Sequence, residues 1–165
     1  MNTEPQSYPK GLDLSIAAGH RTMALDVGDA RIGVALSDPT LLLASPDEIV
    51  ERKAGGALEK IAAIVARESV DVVVAGLPVN MDGSVGKQAV RVRRFMEELA
   101  AKLPAGVSTC YWDERRSTVE AHAIRLSSGA GRQKRREHVD AVSAAIILQA
   151  WLDARRSRGE YSHLK

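Results

Sequence analysis

Two runs, Arg21-Thr22-Met23-Ala24-Leu25-Asp26 and Arg31-Ile32-Gly33-Val34-Ala35-Leu36-Ser37, stand four residues apart, joined by Val27-Gly28-Asp29-Ala30. Apolar runs of this length, separated by turn residues at hairpin distance, read as two antiparallel strands. Working outward, Asp38-Pro39 is turn chemistry, and Leu41 to Ala44 reads as a third strand closing a meander. Beyond it the pattern changes. Leu58, Ile61, Ala62 and Val65 recur at helical spacing. Val70 to Leu77 is apolar without polar alternation, as in a strand covered on both faces. Val92, Met96, Leu99 and Leu103 mark a second helix, stopped by Pro104 and Gly106. Val107 to Asp113 is a further strand. Ser117 and Glu120 have capping-box spacing, so a helix is expected from there to about Leu126. Residues 127–136 read as a mobile basic loop, and His138 to about Asp153 as the last helix. A meander followed by crossovers predicts an α/β fold: a mixed five-stranded sheet with helices on both sides. Residues 1–20 read as a flexible extension, folded back in part through Leu12, Leu14 and Ile16. The domain proper is expected over 21–155 and a tail over 156–165.

The bulk composition fits one globular domain: 165 residues, 45% hydrophobic and 27% charged. Aromatic residues are 4%, so Ala, Val, Ile and Leu must build the core. Net charge is only +2, and cation distribution is the better guide to nucleic-acid contact. Arg132, Lys134, Arg135 and Arg136 cluster, as do Arg91, Arg93 and Arg94, and Arg155, Arg156 and Arg158. The lone cysteine, Cys110, excludes an intramolecular disulfide and reads as a buried, inert thiol. No stretch has the ~18–20 apolar residues of a membrane span, and a cytoplasmic location is expected.

Three carboxylates bear on chemistry. Asp26 ends the first strand, at the edge where α/β sheets place ligands. Gly28 follows where backbone must turn or approach a phosphate. Glu114 closes the strand ending at Asp113, amid Asp113, Arg115 and Arg116; an ordinary helix-entry loop would carry similar residues. Asp140 falls in the first turn of the expected last helix. There it shares a face with Ala144 and Ile147, a costly place for a carboxylate without a partner or a metal. Stabilisation of the helix N-terminus is the rival explanation. Were the three to converge, hard oxygen ligands would suit Mg²⁺ or Mn²⁺, and two such ions about 4 Å apart catalyse phosphodiester cleavage. The histidines are too scattered for zinc. Gly83-Ser84-Val85-Gly86-Lys87 is not a phosphate-binding P-loop.

Four blocks together resemble the YqgF/RuvX family of small bacterial proteins: Asp26 to Ala35, Gly76 to Ser84, Asp113 to Thr118, and His138 to Gln149. The family has an RNase H-like fold and is described both as Holliday junction resolvases and as pre-16S rRNA nucleases. The resemblance spans residues 21–153. It implies a three-layer α/β/α nuclease domain whose catalytic, metal-binding acids are Asp26, Glu114 and Asp140. It further implies that Arg31 and Arg115 hold substrate phosphate or order the acids. Gly28, Arg132, Lys134, Arg135 and Arg136 join the expected substrate-binding set. One expected arrangement has Asp26 contacting two metal ions, with Glu114 and Asp140 completing one site each.

The expected substrate is the 5′ end of pre-16S ribosomal RNA, processed by a monomer or weak homodimer with no membrane contact. The alternatives are a Holliday junction resolvase and a non-catalytic RNA-binding assembly or transcription factor. A nucleotide-binding protein of the actin/sugar-kinase type shares the Asp-x-Gly turn, but this chain is short for a two-lobed cleft.

Overall fold

The computed structural model describes residues 15–116 and 132–158. Its strands are β1 (Arg21–Val27), β2 (Arg31–Ser37), β3 (Ala44–Glu51), β4 (Val70–Leu77) and β5 (Ser108–Asp113). Its helices are α1 (Ala57–Arg67), α2 (Lys87–Ala100) and α3 (Arg132–Ser157), and Glu114–Arg116 forms one 3-10 turn. The sheet order is β3-β2-β1-β4-β5. β1–β2 and β2–β3 are antiparallel, whereas β1–β4 and β4–β5 are parallel. The mixed five-stranded sheet is therefore the one that a meander followed by crossovers implies.

Each face of the sheet is covered. On one, α1 and α2 bury Ile61, Ile64, Val65, Val92, Met96 and Leu99 against Leu25, Val34, Val73 and Ala75. On the other, α3 buries Ala144, Leu148, Trp151 and Leu152 against Ala24, Ala35, Val72, Val74 and Trp112. The small residues of β1 and β2 on this second face allow α3 to lie close. Cys110 is buried there too, and burial pushes its thiol up to about 12, in keeping with an inert role. Ile16 packs on the same cluster. Asp71 holds the preceding backbone by accepting the Ala17 amide at 2.8 Å and pairing with His20 at 2.8 Å. Leu12, Leu14 and the helix expected from Ser117 lie outside the described residues.

Three boundaries differ from the sequence reading. The third strand is Ala44–Glu51 rather than Leu41–Ala44. Residues 38–43 instead form a turn in which the Asp38 carboxylate accepts the amides of Thr40, Leu42 and Leu43 at 2.8–3.0 Å. Leu41 there has φ 59° and is buried. β3 is an edge strand, and Pro46 is tolerated there, opposite Ala35 and next to a register shift. The second difference is that Arg132, Lys134, Arg135 and Arg136 belong to α3 and not to a loop. Third, α2 ends at Ala100, before the residues expected to stop it, and Leu103 packs against the core from beyond the helix.

Candidate nucleic-acid cleavage site

Asp26 pairs in register with Gly33 on one side. On the other side Leu25 pairs with Ala75, so the next position along sets Asp26 beside Gly76. Asp26 is two residues from Ala24, a member of the α3-face cluster, and strand alternation directs its side chain to that same face. An aspartate at the exit of a central strand thus has a glycine on each neighbouring strand.

The two glycines have different work. A Cβ at Gly33 would fall 2.0 Å from the Asp140 carbonyl oxygen and 2.5 Å from its carbon. Gly33 therefore lets the α3 backbone descend onto the sheet at Asp140. A Cβ at Gly76 would fall 2.6 Å from Glu114 Oε1 and 2.5 Å from Ile147 Cδ1. Gly76 thus leaves room for the Glu114 carboxylate over β4. Glycine in a strand interior signals close approach of this kind, and that signal was present in the sequence.

Asp140 lies nine residues into α3. A helix dipole acts within the first turn, so N-terminal stabilisation does not account for this carboxylate. Ala144 and Ile147, on its face, are buried. Arg31, the first residue of β2, places Nε 3.2 Å from Asp140 Oδ2, with both side chains partly exposed. Such a pair contributes well under about 1 kcal/mol to stability; its effect is to orient the carboxylate.

Arg115 is fixed more firmly. Its Nε and Nη2 donate to Asp113 at 2.6–3.1 Å, and its amide donates to Asp113 Oδ1 at 3.0 Å. Its Nη1 reaches the Asn80 carbonyl at 3.4 Å. The guanidinium so ties the β5 exit to the loop Asn80–Ser84. That loop is closed on itself by the Ser84 donations to Asp82 Oδ1 at 2.8 and 2.6 Å. Met81 at its tip is 90% exposed, within the same rim.

The β1–β2 turn is braced from below. The Gly28 amide donates to the Arg31 carbonyl at 2.9 Å, and a Cβ at Gly28 would stand 2.7 Å from that oxygen. Arg52 Nη1 donates to the Gly28 carbonyl at 2.8 Å and Gln88 Nε2 to the Val27 carbonyl at 3.2 Å. Neither Arg52 nor Gln88 stood out in the sequence, because each acts on backbone from a distant element.

The structure brings Asp26, Glu114 and Asp140 to one face and one edge of the sheet. It does not close them: among the described residues no three His, Cys, Asp or Glu side chains form a ready metal cage. Two features fit a divalent cation there. All three donors are carboxylates, the ligand type that hard cations prefer, and Gly76 keeps clear the space into which Glu114 projects. The cationic Arg31 already attends Asp140.

Comparison with known proteins identifies the family and the fold. Residues 20–154 match the family model described as "RuvX: Holliday junction resolvase". A protein of Myxococcus xanthus named "Putative pre-16S rRNA nuclease" is 46% identical over 137 residues, covering 82% of this chain and 89% of that one. A protein of the same name from Anaeromyxobacter sp. is 44% identical over 83% of this chain and 99% of its own. Thermus thermophilus RuvC in complex with a Holliday junction substrate superposes with a TM-score of 0.54 at 15% identity, over 83% of this chain and 96% of that one. That likeness is one of fold, and it is the RNase H-like fold. With a family model spanning nearly the whole described core and relatives above 40% identity, this chain belongs to the RuvX family of nucleases.

Proposed function

We propose that this protein hydrolyses phosphodiester bonds in a divalent-metal-dependent reaction, and that its substrate is the 5′ end of pre-16S ribosomal RNA. The observation that carries the reading is the placing of Asp26, Glu114 and Asp140 on one face of the sheet, where Gly33 admits the backbone at Asp140 and Gly76 admits the Glu114 carboxylate. The names of the M. xanthus and Anaeromyxobacter relatives support the RNA substrate.

The carboxylates of Asp26, Glu114 and Asp140 would hold Mg²⁺ or Mn²⁺, which supplies an activated water and stabilises charge on the departing oxygen. Arg31, paired with Asp140, would orient that carboxylate and help hold a substrate phosphate. Arg115 holds the β5 exit so that Glu114 keeps its position over Gly76. The helical run Arg132, Lys134, Arg135 and Arg136 precedes Asp140 by one to two turns and attracts the polyanion without reading its sequence. The protein acts in the cytoplasm, where this substrate is made, as a monomer or weak homodimer.

The test is cleavage of a 30S-bound precursor RNA with Mg²⁺ or Mn²⁺, by wild type and by Asp26→Asn, Glu114→Gln and Asp140→Asn. Wild type should cut, and each variant should lose at least about 100-fold in rate while melting as wild type does. Full activity in Asp26→Asn would reject the assignment. The description of the family model favours one second reading, resolution of four-way DNA junctions. Paired symmetric nicks in such a junction, with precursor RNA left whole, would favour it.

A further inference from the structure

A second polar cleft opens at the same edge of the sheet, on the α1/α2 side. It encloses about 490 Å³ and is lined by Asp29, Arg52, Lys53, Arg91, Arg94, Phe95 and Glu98. Three elements meet there: the β1–β2 turn, the residues following β3, and the outer face of α2. The β1–β2 turn separates it from the acids. Asp26 enters that turn facing α3, and Asp29 leaves it facing the cleft.

Four cations against two carboxylates leave the wall positive. The carboxylates act as braces. Asp29 receives Arg91 Nη1 on both oxygens at 3.0 Å, and Glu98 receives Arg94 Nε at 3.1 Å. Arg52 is fixed twice, by the Gly28 carbonyl and by the Phe95 ring, whose centroid lies 5.1 Å from its guanidinium carbon. Phe95 itself is buried, so Arg52 presents the flat surface. Lys53 is exposed and forms no ion pair with another described residue. Guanidinium groups held in fixed planes suit phosphate oxygens and stacked bases. An acidic peptide would find the same charge, but the cleft adjoins the site of phosphodiester chemistry, which favours a nucleic-acid strand.

We propose that this cleft is a second nucleic-acid site: Arg52, Lys53, Arg91 and Arg94 hold the phosphate backbone of the strand whose scissile bond lies at the acids, across the β1–β2 turn. The inference rests on the nuclease reading for its ligand, yet its test does not use cleavage. Arg52, bonded to the carbonyl of Gly28, links the cleft to the turn that carries Asp26.

The experiment measures binding of a fluorescein-labelled single-stranded oligoribonucleotide, without divalent metal, over a range of salt. It compares the full-length protein with the double variant Lys53→Gln/Arg94→Gln. A single strand loses about 0.7 from the slope of log affinity against log salt for each phosphate contact removed. Two contacts predict a slope shallower by about 1.4, equivalent to roughly 25-fold weaker binding at 0.1 M salt that closes towards 1 M. Arg67→Gln/Arg156→Gln, of equal charge change at the opposite edge, where Arg67 pairs with Glu68 beside Arg21 and Arg156 bonds the Leu42 carbonyl, should keep the wild-type slope. An equal loss in both doubles would reduce the cleft to general surface charge and overturn the proposal. Adenosine monophosphate is the second probe: loss of its binding in the cleft variant, with strand binding intact, would mark a mononucleotide pocket and also overturn it. A protein that cleaves RNA but shows no slope change refutes the cleft alone. A changed slope in a protein that cuts nothing leaves the cleft standing without the nuclease reading.

Discussion

Replacing Gly33 with alanine should damage fold and activity together, by amounts that the geometry sets. The new Cβ would stand 2.0 Å from the Asp140 carbonyl oxygen, where ordinary contact begins at 3.4 Å. Relief requires the α3 backbone to retreat by about 1.4 Å, the difference between the two. The obstacle is helix backbone seated by Trp151, Leu148 and Leu152, all fully buried, so no single side chain can swing aside. Overpacking a core costs about 1–3 kcal/mol, and a backbone clash belongs at the upper end. At about 2–4 °C per kcal/mol for a chain of this size, the melting temperature should fall by about 6–12 °C. The retreat carries Asp140 with it, and a displacement of about 1 Å costs about 100-fold in rate. Circular dichroism melting and precursor-RNA cleavage, both on the same preparation, provide the readouts. A Gly33→Ala protein with wild-type melting and wild-type cleavage would show that α3 does not bear on the sheet here, and the account of the site would fall with it.

Gly76→Ala should separate the two effects. Its Cβ meets only side-chain atoms, Glu114 Oε1 and Ile147 Cδ1, so melting should shift less than in Gly33→Ala while cleavage drops by a similar factor. A larger melting loss than in Gly33→Ala would contradict this. Gln149 accepts the Ala44 amide at 2.9 Å and donates to the Leu42 carbonyl at 3.0 Å. Gln149→Ala leaves both groups without that partner and should cost about 1–2 kcal/mol by urea unfolding; an unchanged midpoint refutes the bridge. Burial raises the Asp38 carboxyl but is outweighed by the amides of Leu43, Leu42 and Thr40 and the Thr40 hydroxyl, which lower it from 3.8 to about 2. A depressed folded value stabilises above the unfolded one and is lost as pH falls through the folded one. The stability gap between wild type and Asp38→Asn should therefore be full at neutral pH and shrink between pH 4 and about 2; a gap independent of pH would exclude this role. The Cys110 thiol, raised to about 12 by burial, should resist a disulfide reagent in the native protein at pH 8 and react on denaturation. Prompt native reaction would place it at the surface.

Much of this was legible in the sequence, and the failures have physical causes. Val70 to Leu77 could be read because a strand covered on both faces has no polar positions to obscure it. Asp47 and Glu48 concealed β3, because an edge strand with one open side tolerates charge and proline. The basic run before His138 looked like a loop by composition, but long cationic side chains are good helix formers, and α3 begins there. The candidate acids were singled out by block resemblance and by expected positions at element ends, whereas Asp140 lies nine residues into α3. What could not be read was depth. Gly33 and Gly76 stand inside strands without saying what approaches them, and Gln149, Arg52 and Gln88 act on backbone from across the fold, a relation with no sequence period.

The covering of the Ala24, Ala35, Val72 and Val74 face by α3 bears on how the protein is born. These strands leave the ribosome early, and the helix that shields their far side is made after all of them. Until it emerges, the nascent domain carries a bare apolar wall and lacks Asp140. The order of synthesis thus sets an order of assembly: the sheet edge that carries Asp26 and Glu114 is made first, and Asp140 reaches it only when α3 follows.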